Sequence, residues 1–150
     1  MTRVCLVGSD DGDLRYELLS RETARAALST YDLSQPFENA VALETVSLGA
    51  AVALLNDLNW YLIRFADTTL VKEPSISETE WLSRDLATAV RDRELPPEET
   101  DQRLCVFGVD DGKLVEPMYV ARVDGEIPTY DLRDVNETVV VRVRENEFSS

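Results

Sequence analysis

Residues 3–14 read RVCLVGSDDGDL, and residues 103–114 read RLCVFGVDDGKL. Seven of the twelve positions are identical between the two stretches. Each is an apolar run that ends at a glycine and is followed by Asp-Asp-Gly, a pattern that predicts a buried β-strand and a tight turn. The chain therefore contains two predicted strands with the same chemistry, 100 residues apart.

A second short match indicates that the similarity extends further. Residues 30–33, Thr-Tyr-Asp-Leu, recur at residues 129–132, at an offset of 99. Two matches in the same order, at nearly the same offset, favour an internal duplication. The alternative is two buried strands that happen to share their turn chemistry.

The duplication predicts repeat halves at residues 3–46 and 103–145 that flank a middle segment at residues 47–99, all within one domain of residues 1–150. Strands 3–8 and 103–109 should then occupy equivalent places in one sheet. Cys5 and Cys105 would also be equivalent. We interpret both as small buried hydrophobic residues, with a redox pair as the alternative.

The remaining pattern predicts three helices and several further strands. Side-chain caps place the helix starts at Asp13, Ser47 and Ser77, and the helices run to about residues 28, 59 and 92. Ser77 and Glu80 have the spacing of a capping box. The further strands are expected at residues 39–46, 60–65, 70–72, 103–109, 113–122 and 138–144.

These elements predict an α+β fold. We expect a mixed, mostly antiparallel sheet of five to seven strands, with about three helices largely on one face. An alternative interpretation gives residues 39–109 the order strand-helix-strand-strand-helix-strand. That order is typical of a ferredoxin-like core, to which an N-terminal helix and a C-terminal hairpin would be added.

Charge is the strongest compositional signal. The chain has 29 acidic and 15 basic residues, a formal net charge of −14, no histidine and two lysines, Lys72 and Lys113. Molar salt shortens the Debye length to about 3 Å and screens the repulsion between carboxylates. We therefore interpret the charge as adaptation to a high-salt cytoplasm. The lack of histidine excludes Ser–His, Cys–His and His–metal chemistry. We find no signal peptide or membrane-spanning run and expect no membrane association.

Three stretches carry a family resemblance: RVCLVG at residues 3–8, LRYELLSRET at residues 14–23 and ETEWLSRDL at residues 78–86. They resemble an uncharacterised domain-of-unknown-function family from halophilic archaea, and the similarity extends over nearly the whole chain. The resemblance implies a haloarchaeal cytoplasmic origin. It implies no activity.

Arginines on or beside apolar segments are the first candidate site. Arginine suits bidentate contacts with carboxylates and phosphates. The arginines concerned are Arg64, Arg122, Arg142 and Arg144, with Tyr61, Tyr119 and Tyr130 available for stacking. They predict a face that binds an anion, RNA or a partner. The alternative is that they pair with neighbouring carboxylates.

The acidic turns are the second candidate site. Asp10, Asp11 and Asp13 on one turn, with Asp110 and Asp111 on the other, could offer oxygen ligands to Mg²⁺ or Ca²⁺. Aspartate and glycine are also what a tight turn requires, and their spacing matches no calcium loop. We therefore expect no metal here, and we find no cofactor motif.

Three function classes remain open. The first is a non-catalytic binding or adaptor protein that acts through protein–protein contacts, including self-association. The second is a module that binds nucleic acid or a nucleotide through the strand arginines. The third is an enzyme that relies on carboxylates, arginine and tyrosine, with or without Mg²⁺.

Overall fold

The computed structural model describes residues 1–10, 12–127 and 137–147, and the chain divides into two units, Met1–Val71 and Lys72–Ser150. Seven strands and five α-helices lie in the described residues. The prediction of an α+β fold with five to seven strands is therefore confirmed.

The first unit contains three strands and four helices. Its elements are β1 (Thr2–Gly8), α1 (Leu14–Leu19), α2 (Glu22–Leu28), β2 (Ala40–Thr45), α3 (Leu48–Asp57), α4 (Asn59–Phe65) and β3 (Ala66–Lys72). β1 lies between β2 and β3 and pairs antiparallel with β2. Val4, Cys5 and Leu6 are fully buried, as a continuous apolar strand requires.

The second unit contains four strands in the order β4-β7-β5-β6. Its elements are β4 (Trp81–Ser83), α5 (Arg84–Arg91), a 3₁₀ helix (Pro97–Glu99), β5 (Arg103–Asp110), β6 (Lys113–Ala121), β7 (Glu137–Arg142) and a second 3₁₀ helix (Glu145–Glu147). β4 and β7 are parallel, whereas β5 is antiparallel to both β6 and β7. The strands are therefore mixed and mostly antiparallel, as expected.

The two matching strands pair in the same register within their own units. Cys5 on β1 lies opposite Ala42 on β2, and Cys105 on β5 lies opposite Val141 on β7. The partners are thus 99 residues apart where the cysteines are 100 apart. This register is what an internal duplication would produce, although the duplication itself stays a prediction. Residues 129–132, which carry the second match, lie outside the described residues.

The two matching turns lead into different structures. In the first unit, Asp13 Oδ1 accepts a 3.1 Å hydrogen bond from the Tyr16 N–H and so starts α1. Lys113 stands at the corresponding position of the second unit and cannot cap a helix. There Asp111 and Gly112 both have positive φ, 51° and 79°, which closes the predicted β5–β6 hairpin.

Asn39 holds the first of these turns. It sits at φ 54°, and its Nδ2 donates to the carbonyl oxygens of Ser9 and Gly12 at 2.8 and 3.0 Å. Its Oδ1 accepts from the Leu14 N–H at 2.8 Å, and its carbonyl oxygen accepts from the Gly8 N–H at 2.8 Å. A single neutral side chain therefore ties the end of β1 to the start of α1.

The expected strand at residues 60–65 is wrong, because these residues form helix α4. Leu58 and Leu62, four residues apart, are both buried, at 0% and 4% exposure. Burial of this i,i+4 pair outweighs the β-propensity of the aromatic and branched residues in the segment 60–65.

The expected helix at residues 77–92 begins later than predicted. Ser77 Oγ accepts hydrogen bonds from the N–H groups of Thr79 and Glu80, as a cap would, but residues 81–83 form strand β4. The Glu80 carboxylate does not complete a capping box because it binds two arginines. Helix α5 begins at Arg84 and is capped by Ser83, whose Oγ accepts from the Leu86 N–H at 3.1 Å.

Five helices replace the expected three. The helix predicted at residues 14–28 is broken between α1 and α2, and α4 adds another. The helix capped by Ser47 is confirmed as α3. The ferredoxin-like alternative is wrong because β2 pairs with β1, and β5 has β6 and β7 as its two neighbours.

Candidate interaction surface

The outward side of α4 carries large apolar side chains. Trp60 is 47% exposed and Ile63 is 70% exposed, while Leu58 and Leu62 fill the buried side. A single exposed apolar residue needs no explanation, but two on one side of a short helix are typical of a contact surface.

The indole of Trp60 is fixed by its neighbours. The guanidinium carbon of Arg64 lies 3.9 Å from the ring centroid, and Arg64 Nη1 donates a 2.9 Å hydrogen bond to the Trp60 carbonyl oxygen. Tyr61 and Phe65 meet the ring edge-on, with centroids 5.0 and 6.2 Å away. These contacts restrain both side chains, and such restraint lowers the entropy lost on binding.

A second arginine reaches the same ring from the start of α2. The guanidinium carbon of Arg21 lies 5.4 Å from the Trp60 centroid and 5.2 Å from the Phe65 centroid. Its Nη2 lies 3.2 Å from Glu17 Oε2, in a partly exposed ion pair. We define the Trp60 surface as Arg21, Trp60, Ile63 and Arg64.

Arg64 differs from Arg21 in its charge partner. Within the described part of the chain, Arg64 forms no ion pair with a carboxylate. The residues 1–71 contain five arginines and ten carboxylates, a net charge of −5. The Arg64 guanidinium is exposed and stacked, and its charge is not paired with a carboxylate. It can therefore donate hydrogen bonds to a carboxylate or phosphate from another molecule.

Two of the predicted site arginines form a partly buried cluster with Glu80 in the second unit. Arg122 Nη2 donates to both Glu80 oxygens, at 2.8 and 2.9 Å, and Arg142 Nε donates to Glu80 Oε1 at 2.7 Å. Arg142 Nη1 also donates to Thr100 Oγ1 at 2.9 Å, and Arg122 Nε to the Asp101 carbonyl oxygen at 2.9 Å. The three charged side chains are only 12–14% exposed.

Glu80 stays ionised in this cluster. Burial alone would raise its pKa, but the hydrogen bonds and charges of Arg142 and Arg122 outweigh burial and hold the pKa below its usual value. The cluster links the segment before β4 to β7 and to the residue after β6. We interpret Arg122 and Arg142 as structural residues, in keeping with the ion-pair alternative from the sequence.

The other two predicted arginines, Arg64 and Arg144, do not bind Glu80. Arg144 is partly exposed, with its Nη1 3.8 Å from Glu94 Oε2 and its backbone N–H donating to Glu147 Oε1. Arg64 belongs to the first unit. Of the predicted stacking tyrosines, Tyr61 contacts Trp60, Tyr119 is partly exposed on β6, and Tyr130 lies outside the described residues.

The described residues of the acidic turns are not arranged as metal ligands. Across residues 1–10, 12–127 and 137–147, no three cysteine or carboxylate side chains come together as ligands for a metal. Asp13 caps α1, and Asp111 adopts the positive φ that its turn requires. Asp10 and Asp110 flank these turns, and Asp11 lies outside the described residues.

The two cysteines are buried, in agreement with the interpretation as hydrophobic residues. Burial raises the pKa of the Cys5 thiol to about 12 and that of the Cys105 thiol to about 11. Both thiols are therefore protonated and poor nucleophiles near neutral pH.

A cleft of about 430 Å³ also occurs in the first unit. Arg3, Tyr31, Asp32 and Glu44 are among the residues that line it. Its mixed charges favour no single class of ligand, so the Trp60 surface is the stronger candidate.

Comparison with known proteins gives a family but no activity. Residues 2–109 match DUF5804, a family of unknown function. The chain belongs to this family. No curated protein and no solved structure matches the chain. The DUF5804 match includes all of the Trp60 surface and Glu80, while Arg122 and Arg142 lie beyond it. Among the described residues of this DUF5804 member, no helix is long and apolar enough to cross a membrane.

Sequence reasoning missed Trp60, Ile63 and Arg21 as site residues. The strand expected at residues 60–65 begins at Trp60 and predicts no exposed helical side. The signal that could have found the surface is the Leu58–Leu62 spacing, because a helix with those residues buried turns Trp60 and Ile63 outward.

Proposed function

We propose that this DUF5804 protein is a non-catalytic binding or adaptor protein that acts through protein–protein contacts at the Trp60 surface. The observation that carries the proposal is the half-exposed Trp60 ring with Arg64 stacked 3.9 Å from its centroid. Tryptophan, tyrosine and arginine are the residues that most often dominate the binding energy of protein interfaces.

The composition of the surface favours a protein over other partners. Ile63 adds an aliphatic side chain, which packs well against another protein but has no role in stacking on bases. The net charge of −5 on the residues 1–71 opposes a polyanion, whereas one carboxylate of a partner protein can bind Arg64 alone.

We also propose that the protein works in the high-salt cytoplasm of a halophilic archaeon. The support is the net charge of −14 together with only two lysines. Carboxylates keep water and counter-ions at the surface, and concentrated salt screens their repulsion.

Site-specific photo-cross-linking at native salt tests the binding function. A benzoylphenylalanine placed at position 63 should capture a partner, and the adduct should be lost in the Trp60→Ala background. The matched control is the same label at Val46, which is 79% exposed and lies at the other end of α3. Equal labelling from both positions, or none from either, would contradict the proposal.

Single-stranded nucleic acid is a second candidate partner. The observation that favours it is the grouping of Trp60 and Tyr61 with Arg21 and Arg64, because aromatic rings and guanidinium groups together bind unpaired bases. Fluorescence quenching by oligo-U in molar KCl tests it, with Trp60→Phe as the control that leaves only Trp81. Absorbance near 260 nm that co-purifies with the protein and is lost in Arg64→Ala would support this candidate.

A further inference from the structure

The cleft in the first unit has two opposite charges on its floor. Its volume of about 430 Å³ lies within the range of small-molecule sites. Arg3 on β1 and Glu44 on β2 both line it and are directly opposed in the β1–β2 ladder. Because directly opposed residues of antiparallel strands point to the same face of a sheet, the guanidinium and the carboxylate share one side of these strands.

Arg3 and Glu44 nevertheless do not pair. Opposite charges at directly opposed positions attract each other across a ladder. Yet among the described residues neither side chain forms an ion pair or a hydrogen bond, although Arg3 is partly buried. The floor of the cleft therefore presents a guanidinium and a carboxylate that are both available to a ligand.

The loop after α2 forms the wall of the cleft. Thr30, Tyr31 and Asp32 line it, and two backbone hydrogen bonds of 2.8 Å between Ser34 and Ala42 hold the loop against β2. Within the described chain, the side chains of Tyr31 and Asp32 also form no ion pair or hydrogen bond. The wall therefore adds a phenol and a second carboxylate, both on a loop that is fixed to the sheet.

A smaller cleft occurs at the equivalent place of the second unit. Its volume is about 190 Å³, and Arg103 and Val143 are among the residues that line it. Arg103 follows Arg3 by 100 residues and Val143 follows Glu44 by 99, the same offsets that relate the paired strands of the two units. The Val143 N–H donates to the Arg103 carbonyl oxygen at 3.0 Å. Each unit therefore has an arginine-lined cleft at the same position of its ladder.

The match between the two halves also includes cleft residues that packing does not require. Thr30 and Asp32 are exposed, yet Thr30, Tyr31 and Asp32 recur in the sequence at residues 129–131, which lie outside the described residues. Buried residues recur because the core needs them, whereas exposed loop residues more often recur because they bind something. The repeated Thr-Tyr-Asp motif is therefore a second indication of a ligand.

The two clefts differ in their charges. Val143 stands where the first cleft has Glu44, and Arg103 Nη2 lies 3.7 Å from Glu145 Oε1. The second cleft therefore lacks the carboxylate on its floor, and its arginine already has a carboxylate partner. The combination of an available guanidinium and an available carboxylate belongs to the first cleft.

The charges of the first cleft disfavour a ligand of a single sign. A simple anion would bind Arg3, but Glu44, Asp32 and the net charge of −5 on residues 1–71 would repel it. A simple cation would be repelled by Arg3. A ligand that carries both charges, and is neutral as a whole, can bind the guanidinium and the carboxylate together.

We propose that the cleft of the first unit binds an α-amino acid, whose carboxylate accepts hydrogen bonds from Arg3 and whose ammonium group donates to Glu44. The ring of Tyr31 in the wall offers an apolar face to the side chain of the amino acid. Among the described lining residues, none belongs to the Trp60 surface, so this is a second site and goes beyond the proposed function.

Saturation-transfer NMR on the purified protein in molar KCl tests the site, with a mixture of the standard L-amino acids as the probe. We expect transfer to at least one of them at concentrations up to about 10 mM. That amino acid is then compared with its N-acetyl derivative, which keeps only the carboxylate, and with its amide, which keeps only the ammonium group. Each derivative should bind at least about tenfold more weakly, because one charged hydrogen-bonding group is lost.

Two variants assign the charges to their residues. Arg3→Gln should weaken binding of the amino acid by at least about tenfold, and Glu44→Gln should do the same while removing the preference for the amino acid over its N-acetyl derivative. The controls are Arg25→Gln and Glu22→Gln, two exposed charges on α2 that do not line the cleft and should leave binding unchanged. Circular dichroism verifies that each variant is folded.

Three results would overturn the proposal. The first is that no amino acid shows saturation transfer. The second is that the N-acetyl derivative or the amide binds as tightly as the amino acid, which would make the cleft a site for a single charge. The third is that folded Arg3→Gln binds as the parent does.

Discussion

Arg142 Nε donates a 2.7 Å hydrogen bond to Glu80 Oε1 across 62 residues of chain. Arg122 binds the same carboxylate from the end of β6, and all three side chains are largely buried. One carboxylate is therefore the shared ion-pair partner of two largely buried guanidinium groups, and its removal should destabilise the second unit.

Glu80→Gln should lower the free energy of unfolding by about 2–3 kcal/mol at neutral pH, because two buried arginines lose their counter-charge. Urea denaturation measures the effect. Glu98→Gln, at an exposed carboxylate of the first 3₁₀ helix, is the control and should change stability by less than about 0.5 kcal/mol. Equal effects from the two variants would contradict the structural role of the cluster.

The ion pairs of Glu80 with Arg122 and Arg142 also predict how the stability of the protein depends on pH. The arginines hold the pKa of Glu80 below its unfolded value of about 4.3, so its ionised form stabilises the fold at and above that pH. This contribution is lost as the pH falls through the lower, folded-state pKa. The stability difference between the parent and Glu80→Gln should therefore be constant above about pH 5 and shrink below about pH 4. A difference that grows on acidification would contradict this assignment.

The close approach of Asn39 to Gly8 gives a second prediction about stability. A Cβ at Gly8 would lie 2.6 Å from Asn39 Nδ2 and 2.7 Å from Leu14 Cβ. Asn39 cannot move aside without breaking the hydrogen bonds that hold the turn. Gly8→Ala should therefore cost about 2–3 kcal/mol in thermal or urea unfolding. Gly12→Ala, where nothing lies within 4 Å of the added atom, should be nearly neutral. If Gly8→Ala leaves the free energy of unfolding unchanged, the turn can move to accommodate the added methyl group.

Arg93 occupies a position that favours glycine. It follows α5 with φ 62°, its N–H donates to the Val90 carbonyl oxygen, and the Glu94 N–H donates to that of Ala89. This is a Schellman motif with a side chain in the left-handed region. Arg93→Gly should raise the free energy of unfolding by about 1 kcal/mol. Arg91→Gly, inside the helix, should lower it, and the opposite order of the two variants would contradict the cap geometry.

Salt dependence tests the interpretation of the charge. Raising KCl from 0.1 to 2 M should raise the unfolding midpoint by at least about 5 °C, since the Debye length falls from about 10 Å to below 3 Å. Replacing Glu98 and Glu99 by lysine should reduce this dependence by removing exposed negative charge. A midpoint that does not change with KCl would contradict adaptation to high salt.

Local sequence signals predicted much of the fold. The matching stretches gave β1 and β5, Asp-Gly gave the β5–β6 hairpin, and Ser47 gave the start of α3. In each case the deciding interaction lies within a few residues of chain. Such interactions can be deduced from residue types and spacing alone.

The candidate site was less predictable. The residues 60–65 combine β-propensity with a helical Leu58–Leu62 pattern, and only packing decides between the two. Ser77 and Glu80 have the spacing of a capping box, but Glu80 is taken by arginines 42 and 62 residues further along the chain. A local sequence pattern cannot predict a contact between residues so far apart along the chain.

The amide of Asn39 fastens the turn after β1 without using any charge. The strength of these hydrogen bonds should therefore change little with salt concentration, whereas exposed ion pairs weaken as added salt screens their charges. The geometry of this turn should therefore be the same at low and at high salt concentration.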